Sequence, residues 1–211
     1  MIYVYGTSHV SEESFRVIDE ALERHDPEVV ALELDTPRLN ALVADEERRG
    51  GNIFLRLVKT FQERIGSKTG VMPGEEMKYA FERSVEEERE VALVDQDIRR
   101  TMQHLKQVSR KEKVRAAFSV LAGFFIGKKF DVSSIPEQEV IEELTEKMQE
   151  DFPGIYSVLM EERNSHIAEA LKKVESESEG DVVAFLGAAH VKPVRRILDE
   201  VDSQGAVAAA E

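Results

Sequence analysis

The sequence predicts an α/β protein: a small, mostly parallel sheet flanked by helices, with a helical insertion in its middle. Three observations predict it. Short apolar runs typical of strands covered on both faces ("IYVY", "VVALEL", "VALV", "VVAFL") are separated by helical patterns. Two of the runs, joined by one amphipathic stretch within about 35 residues, make a βαβ unit. From Ile98 to Phe152 the pattern is helical only.

The elements follow in order. Ile2 to Tyr5 is a β-rich run that reaches Gly6. Ser11 suits an N-cap, and Phe15 to Leu22 continues as an amphipathic helix ending near His25, where a cation suits the helix dipole. Val29 to Leu34 is the second strand, and Pro37 opens a helix through Val43. "RRGGN" (48–52) is a break; Ile53 to Ile65 and Pro73 to Glu90 read as helices joined by "GSKTGVMPG". Val91 to Val94 is the third strand. Pro136 starts one helix of the insertion, and Ile155 to Val174 is one long amphipathic helix. Val182 to Leu186 is the last strand and Val191 to Val201 the last helix, followed by a tail with no fold signal. One domain over 1–211, with its insertion at about 98–152, accounts for the length.

Composition bounds the function. A net charge of -14 disfavours a general nucleic-acid binder, which needs basic surface to replace counterions. With no cysteine, disulfides, thiolate metal sites and cysteine nucleophiles are excluded, so a metal would rest on His, Asp or Glu. The N-terminus "MIYVYG" has neither the basic nor the apolar region of a secretory signal. The most apolar stretch, 116–127, is shorter than the roughly 20 residues of a membrane span. It is expected in the core or at a homo-oligomer interface, with a lid or a membrane-touching surface as alternatives. The expected location is cytoplasmic, or associated with the cytoplasmic membrane.

Strand–G-x-x-H-V–helix occurs twice, as "GTSHV" with His9 and as "GAAHV" with His190. Ligands of open parallel sheets bind beyond the carboxyl ends of the strands. Here those ends carry His9, Glu33 with Asp35, Asp95 with Asp97, and His190. Gly6 and Gly187 allow tight turns that aim each histidine across the edge. Two imidazoles and a carboxylate can hold a divalent metal with a position open for water. Without metal, the same trio can run acid–base chemistry, and the residues alone leave both open. Arg163 and Asn164 interrupt the apolar stripe of the long helix, so Arg163 either meets the site or makes a structural salt bridge. Arg38, at a helix start where the dipole disfavours a cation, is a further candidate for binding a substrate carboxylate or carbonyl. His104 reads as part of a solvated face.

"VYGTSHVS", "ALELDTPRL", "ALVDQDI", "ERN" and "FLGAAHVKPV" together resemble the TraB/PrgY (pheromone shutdown) family, related to Tiki proteins and more distantly to erythromycin esterases and ChaN-like haem-binding proteins. The resemblance runs from Tyr3 to about Val194 and departs at Gln96, where many relatives carry Arg. It implies a metal-dependent, peptidase-like fold centred on His9, His190 and Glu33, with Arg163 and Asn164 matching the family's Arg-Asn pair and Asp95 at an acidic position. The expectation is a metal-dependent hydrolase acting on a peptide or small molecule. His9, His190 and Glu33 would bind manganese, cobalt or zinc; Glu33, Arg163 and Asn164 would be catalytic, with Asp95 and Arg38 as additional site residues. The alternatives are a non-catalytic peptide- or haem-sequestering protein and a metal-independent esterase-like hydrolase.

Overall fold

A computed structural model describes residues 1–7, 13–43, 74–126 and 137–208. His9, Ser11, the stretch from Arg48 to Pro73 and Pro136 lie outside the described residues. The chain divides into two compact units, residues 1–97 with 164–211, and residues 98–163.

The first unit is built on four parallel strands: β1 (Ile2–Thr7), β2 (Val29–Leu32), β3 (Glu90–Leu93) and β4 (Val182–Gly187), in the order β1-β4-β2-β3. The last strand is thus inserted between the first two. Helices cover both faces. On one side α1 (Glu13–His25) and α3 (Glu75–Glu86) bring Ile18, Leu22, Met77 and Ala80 against Val30, Leu32, Val183 and Phe185. On the other, α8 (Glu162–Glu177) and α9 (Ala188–Ala208) bring Ile167, Leu171, Val194 and Leu198 against Val4, Ala31, Ala184 and Leu186. Alternate residues of each strand feed the two cores, which is why β2 and β4 are buried along their whole length.

The short α2 (Thr36–Val43) follows β2 and is capped by Asp35, whose Oδ1 accepts the Arg38 N–H at 2.7 Å. Two helices are closed by non-glycine residues in the left-handed conformation. Asp26 (φ 41) closes α1 with its N–H on the Leu22 carbonyl, and Pro27 follows. Glu88 (φ 56) closes α3: its N–H meets the Val85 carbonyl while the Arg89 N–H reaches Ser84. That is a Schellman motif with glutamate where glycine is usual. The helix expected over Pro73 to Glu90 therefore stops at Glu86, and Glu90 is already in β3.

The second unit is helical. It contains α4 (Ile98–Gln107), α5 (Arg110–Ile126), α6 (Glu137–Asp151) and the one-turn α7 (Pro153–Tyr156), around a small core of Leu105, Ala116, Ile155 and Val158. The single helix expected from Ile155 to Val174 runs without a break from Pro153 to Glu177, with a π-helical turn over Ser157–Glu161 between α7 and α8. No described helix is long and apolar enough to cross a membrane.

Candidate functional site

The carboxyl ends of β1, β4 and β2 lie side by side. Gly6 pairs with Leu186 and Thr7 with Gly187, so the glycines of the two G-x-x-H motifs lie on adjacent strands, offset by one residue. A Cβ at Gly6 would come within 3.1 Å of Val191 Cγ2, so this glycine lets α9 approach β1 closely. The second motif is not a turn. β4 ends at Gly187 and α9 begins at Ala188, which puts His190 in the first helical turn. The tail expected to lack structure is part of the same helix through Ala208.

Glu33 sits just past β2. Its N–H donates to the Phe185 carbonyl, continuing the pairing with β4, and the Leu34 N–H then closes onto Leu32 at 2.7 Å. The φ at Glu33 is not positive, so this is an inverse γ-turn, a common strand ending that here turns the chain at the glutamate. The Glu33 side chain is buried at the head of α9. Oε2 accepts the Gly187 N–H at 2.7 Å, where a helix N-terminus favours negative charge. Oε1 faces His190 Nε2 at 3.5 Å.

The imidazole of His190 is held from its other side. Nδ1 is 2.6 Å from Asn164 Oδ1, and both residues are buried. An amide oxygen accepts only, so Nδ1 carries the proton in this bond and Nε2 is the nitrogen presented to Glu33. Asn164 reaches this point because α8 lies on the same sheet face as α9, with Ile167 and Leu171 packed below it. Asn164, Glu33 and His190 thus form one chain of buried polar contacts.

Asp95, beyond β3, is buried and forms a salt bridge with Nη1 of Arg38; its Oδ1 also accepts the Gln96 N–H at 2.8 Å. Arg38 is therefore engaged by a neighbouring carboxylate, and Asp97 is exposed. Arg163 falls in the second unit, where its Nη1 donates to the Leu159 carbonyl at 3.3 Å. His25 is structural: its Nε2 is 2.6 Å from the Tyr5 hydroxyl and Tyr3 stacks on its ring. His104 is not simply solvated, since its Nδ1 lies 2.5 Å from Glu162 Oε2. Sequence reasoning named Asn164 and His190 separately; their contact needed the strand order, which no local pattern carries.

His190 and Glu33 offer two donor atoms of the kind a divalent metal takes. Bonds of about 2.0–2.2 Å in a tetrahedral site put ligand atoms roughly 3.3–3.5 Å apart, and these two are 3.5 Å apart. Metal-binding histidines commonly donate their second ring N–H to an oxygen, as His190 does to Asn164. No group of three or more His, Asp or Glu placed to hold a metal occurs among the described residues, which do not include His9.

The sequence profile of the TraB/PrgY/gumN family matches residues 1–209. An uncharacterized protein of Methanocaldococcus jannaschii is 30% identical, covering 96% of this chain and 54% of the relative. TraB domain-containing proteins of Bos taurus and Homo sapiens are each 25% identical, covering 82% of this chain and 52% of theirs. The chain spans about half the length of these relatives.

Proposed function

The chain belongs to the TraB/PrgY/gumN family, and we propose that it is a metal-dependent, peptidase-like hydrolase whose site lies at the carboxyl ends of β1, β4 and β2. The observation that carries this reading is the buried chain Asn164–His190–Glu33, in which every contact orients the next atom. His190 Nε2 and the Glu33 carboxylate would hold the ion together with His9, which follows β1 in sequence. Manganese or cobalt suits such ligands, with zinc as the third candidate.

A bound divalent ion supplies a lowered water pKa and a polarised substrate carbonyl. The protein's own groups do the rest. Asn164 fixes the tautomer and ring plane of His190. The Gly187 N–H pins one oxygen of Glu33, and the other either binds the ion or takes a proton from water as general base. Asn164 contributes positioning through His190. Arg38 and Asp95 offset each other's charge at the adjoining strand ends and so act on the shape of that edge.

A metal-free reading rests on the same contact, since Glu33 and His190 also face each other as an acid–base pair would. The test is a peptide-library assay on chelator-stripped protein with manganese, cobalt or zinc restored, beside His9→Ala and Glu33→Ala. Turnover that depends on added metal and is lost in both variants supports the metallohydrolase. Metal-independent turnover lost in Glu33→Ala supports the acid–base reading. Turnover that survives both substitutions removes the site.

A further inference from the structure

Among the described side chains, the second unit leaves two large apolar ones of a single helix in solvent. Val114 is 70% exposed and Phe118 71%. Four residues apart on α5, they share a face. The other exposed large hydrophobics within helices among the described residues, Val43, Val85, Leu144 and Val201, occur one to a helix, which is ordinary for a protein surface. The pair on α5 is not of that kind, because its helix packs by the opposite side: Ala116 is buried with Leu105, Ile155 and Val158.

Charge on α5 is sorted the same way. Its one acid, Glu112, turns inward and accepts the Ile155 N–H at 2.8 Å. Lys113 also turns back, donating to the Leu105 and Lys106 carbonyls at the end of α4. Arg110, Lys111 and Arg115 stay exposed, and the Arg115 guanidinium lies over the Phe152 ring. The outward face therefore combines Lys111, Val114, Arg115 and Phe118. Beyond it the helix continues to Ile126 as "VLAGFFI", without a charge. All this occurs in a chain of net charge -14, so the cations of α5 stand against the overall balance.

We propose that α5 lies on an anionic lipid surface, its Val114–Phe118 face entering the headgroup boundary and Arg110, Lys111 and Arg115 meeting the lipid phosphates. The apolar part of the helix is too short to span a bilayer. With phenylalanine flanked by lysine and arginine on one exposed face, the cations can keep their heads at the phosphate level while their stems cover apolar surface. This inference is independent of the hydrolase reading, since α5 contributes none of that site's residues.

The test is co-sedimentation of the full chain with vesicles of phosphatidylcholine alone or mixed with phosphatidylglycerol. Binding is expected only to the mixed vesicles, weaker at high salt, and reduced about fivefold for each cation removed in Lys111→Gln and Arg115→Gln. Phe118→Asp should abolish it without changing the melting temperature or circular dichroism, because the side chain is exposed. Equal binding to both vesicles, no binding to either, or binding retained by Phe118→Asp overturns the proposal. A dimer in sedimentation equilibrium that dissociates on Phe118→Asp, with no vesicle binding, would make this face a contact between copies instead.

Discussion

His104 and His190 each face a glutamate, one in each unit of the chain. His104 and Glu162 are about one-third exposed and approach to 2.5 Å. His190 and Glu33 are almost fully buried and stand 3.5 Å apart. The closer pair satisfies itself and gains little, since water screens it and both side chains lose freedom. The wider pair has its other atoms taken by Asn164 and the Gly187 N–H. Those bonds fix both groups while keeping a separation that suits a shared metal. Burial and outside anchoring, rather than a short distance, distinguish a candidate site from a surface ion pair.

Four substitutions sharpen this contrast. Glu33→Gln keeps an oxygen for the Gly187 N–H but removes the charge; hydrolysis should fall on the order of 10²–10⁴-fold, with the melting temperature showing whether the fold persists. Asn164→Ala frees the His190 ring, and metal affinity measured by calorimetry should drop roughly 10–100-fold. Asp35→Ala removes the α2 cap close to Glu33, and denaturant unfolding should show a loss of about 1 kcal/mol. His104→Gln should change stability by less than about 1 kcal/mol and leave metal affinity untouched. A large effect of His104→Gln on turnover would erase the distinction between the two pairs.

Much of the first unit could be read from sequence, because strands covered on both faces are continuous apolar runs and a βαβ unit admits one handedness. The runs ending at Glu33 and leading into His190 were recognisable for that reason. What local pattern could not supply was the place of β4 between β1 and β2, a choice made by packing across some 150 residues of chain. With it went the Glu33–His190 and Asn164–His190 contacts. The end of the helix expected over Pro73 to Glu90 was blurred because a non-glycine residue, Glu88, takes the left-handed cap. The π-helical turn in the stretch expected as one helix was not legible because the stripe was read at a uniform 3.6-residue spacing, whereas a π turn rotates the residues beyond it around the axis.

The central claim is that His190 and Glu33 hold a metal together with His9. Elemental analysis after chelator stripping, loading with manganese, cobalt or zinc, and desalting tests it most directly. The account predicts stoichiometric metal in the wild type, and loss of it in His190→Ala and His9→Ala variants that still melt cooperatively. A wild type that retains none of the three metals, or a His190→Ala protein that retains as much as wild type, would contradict it.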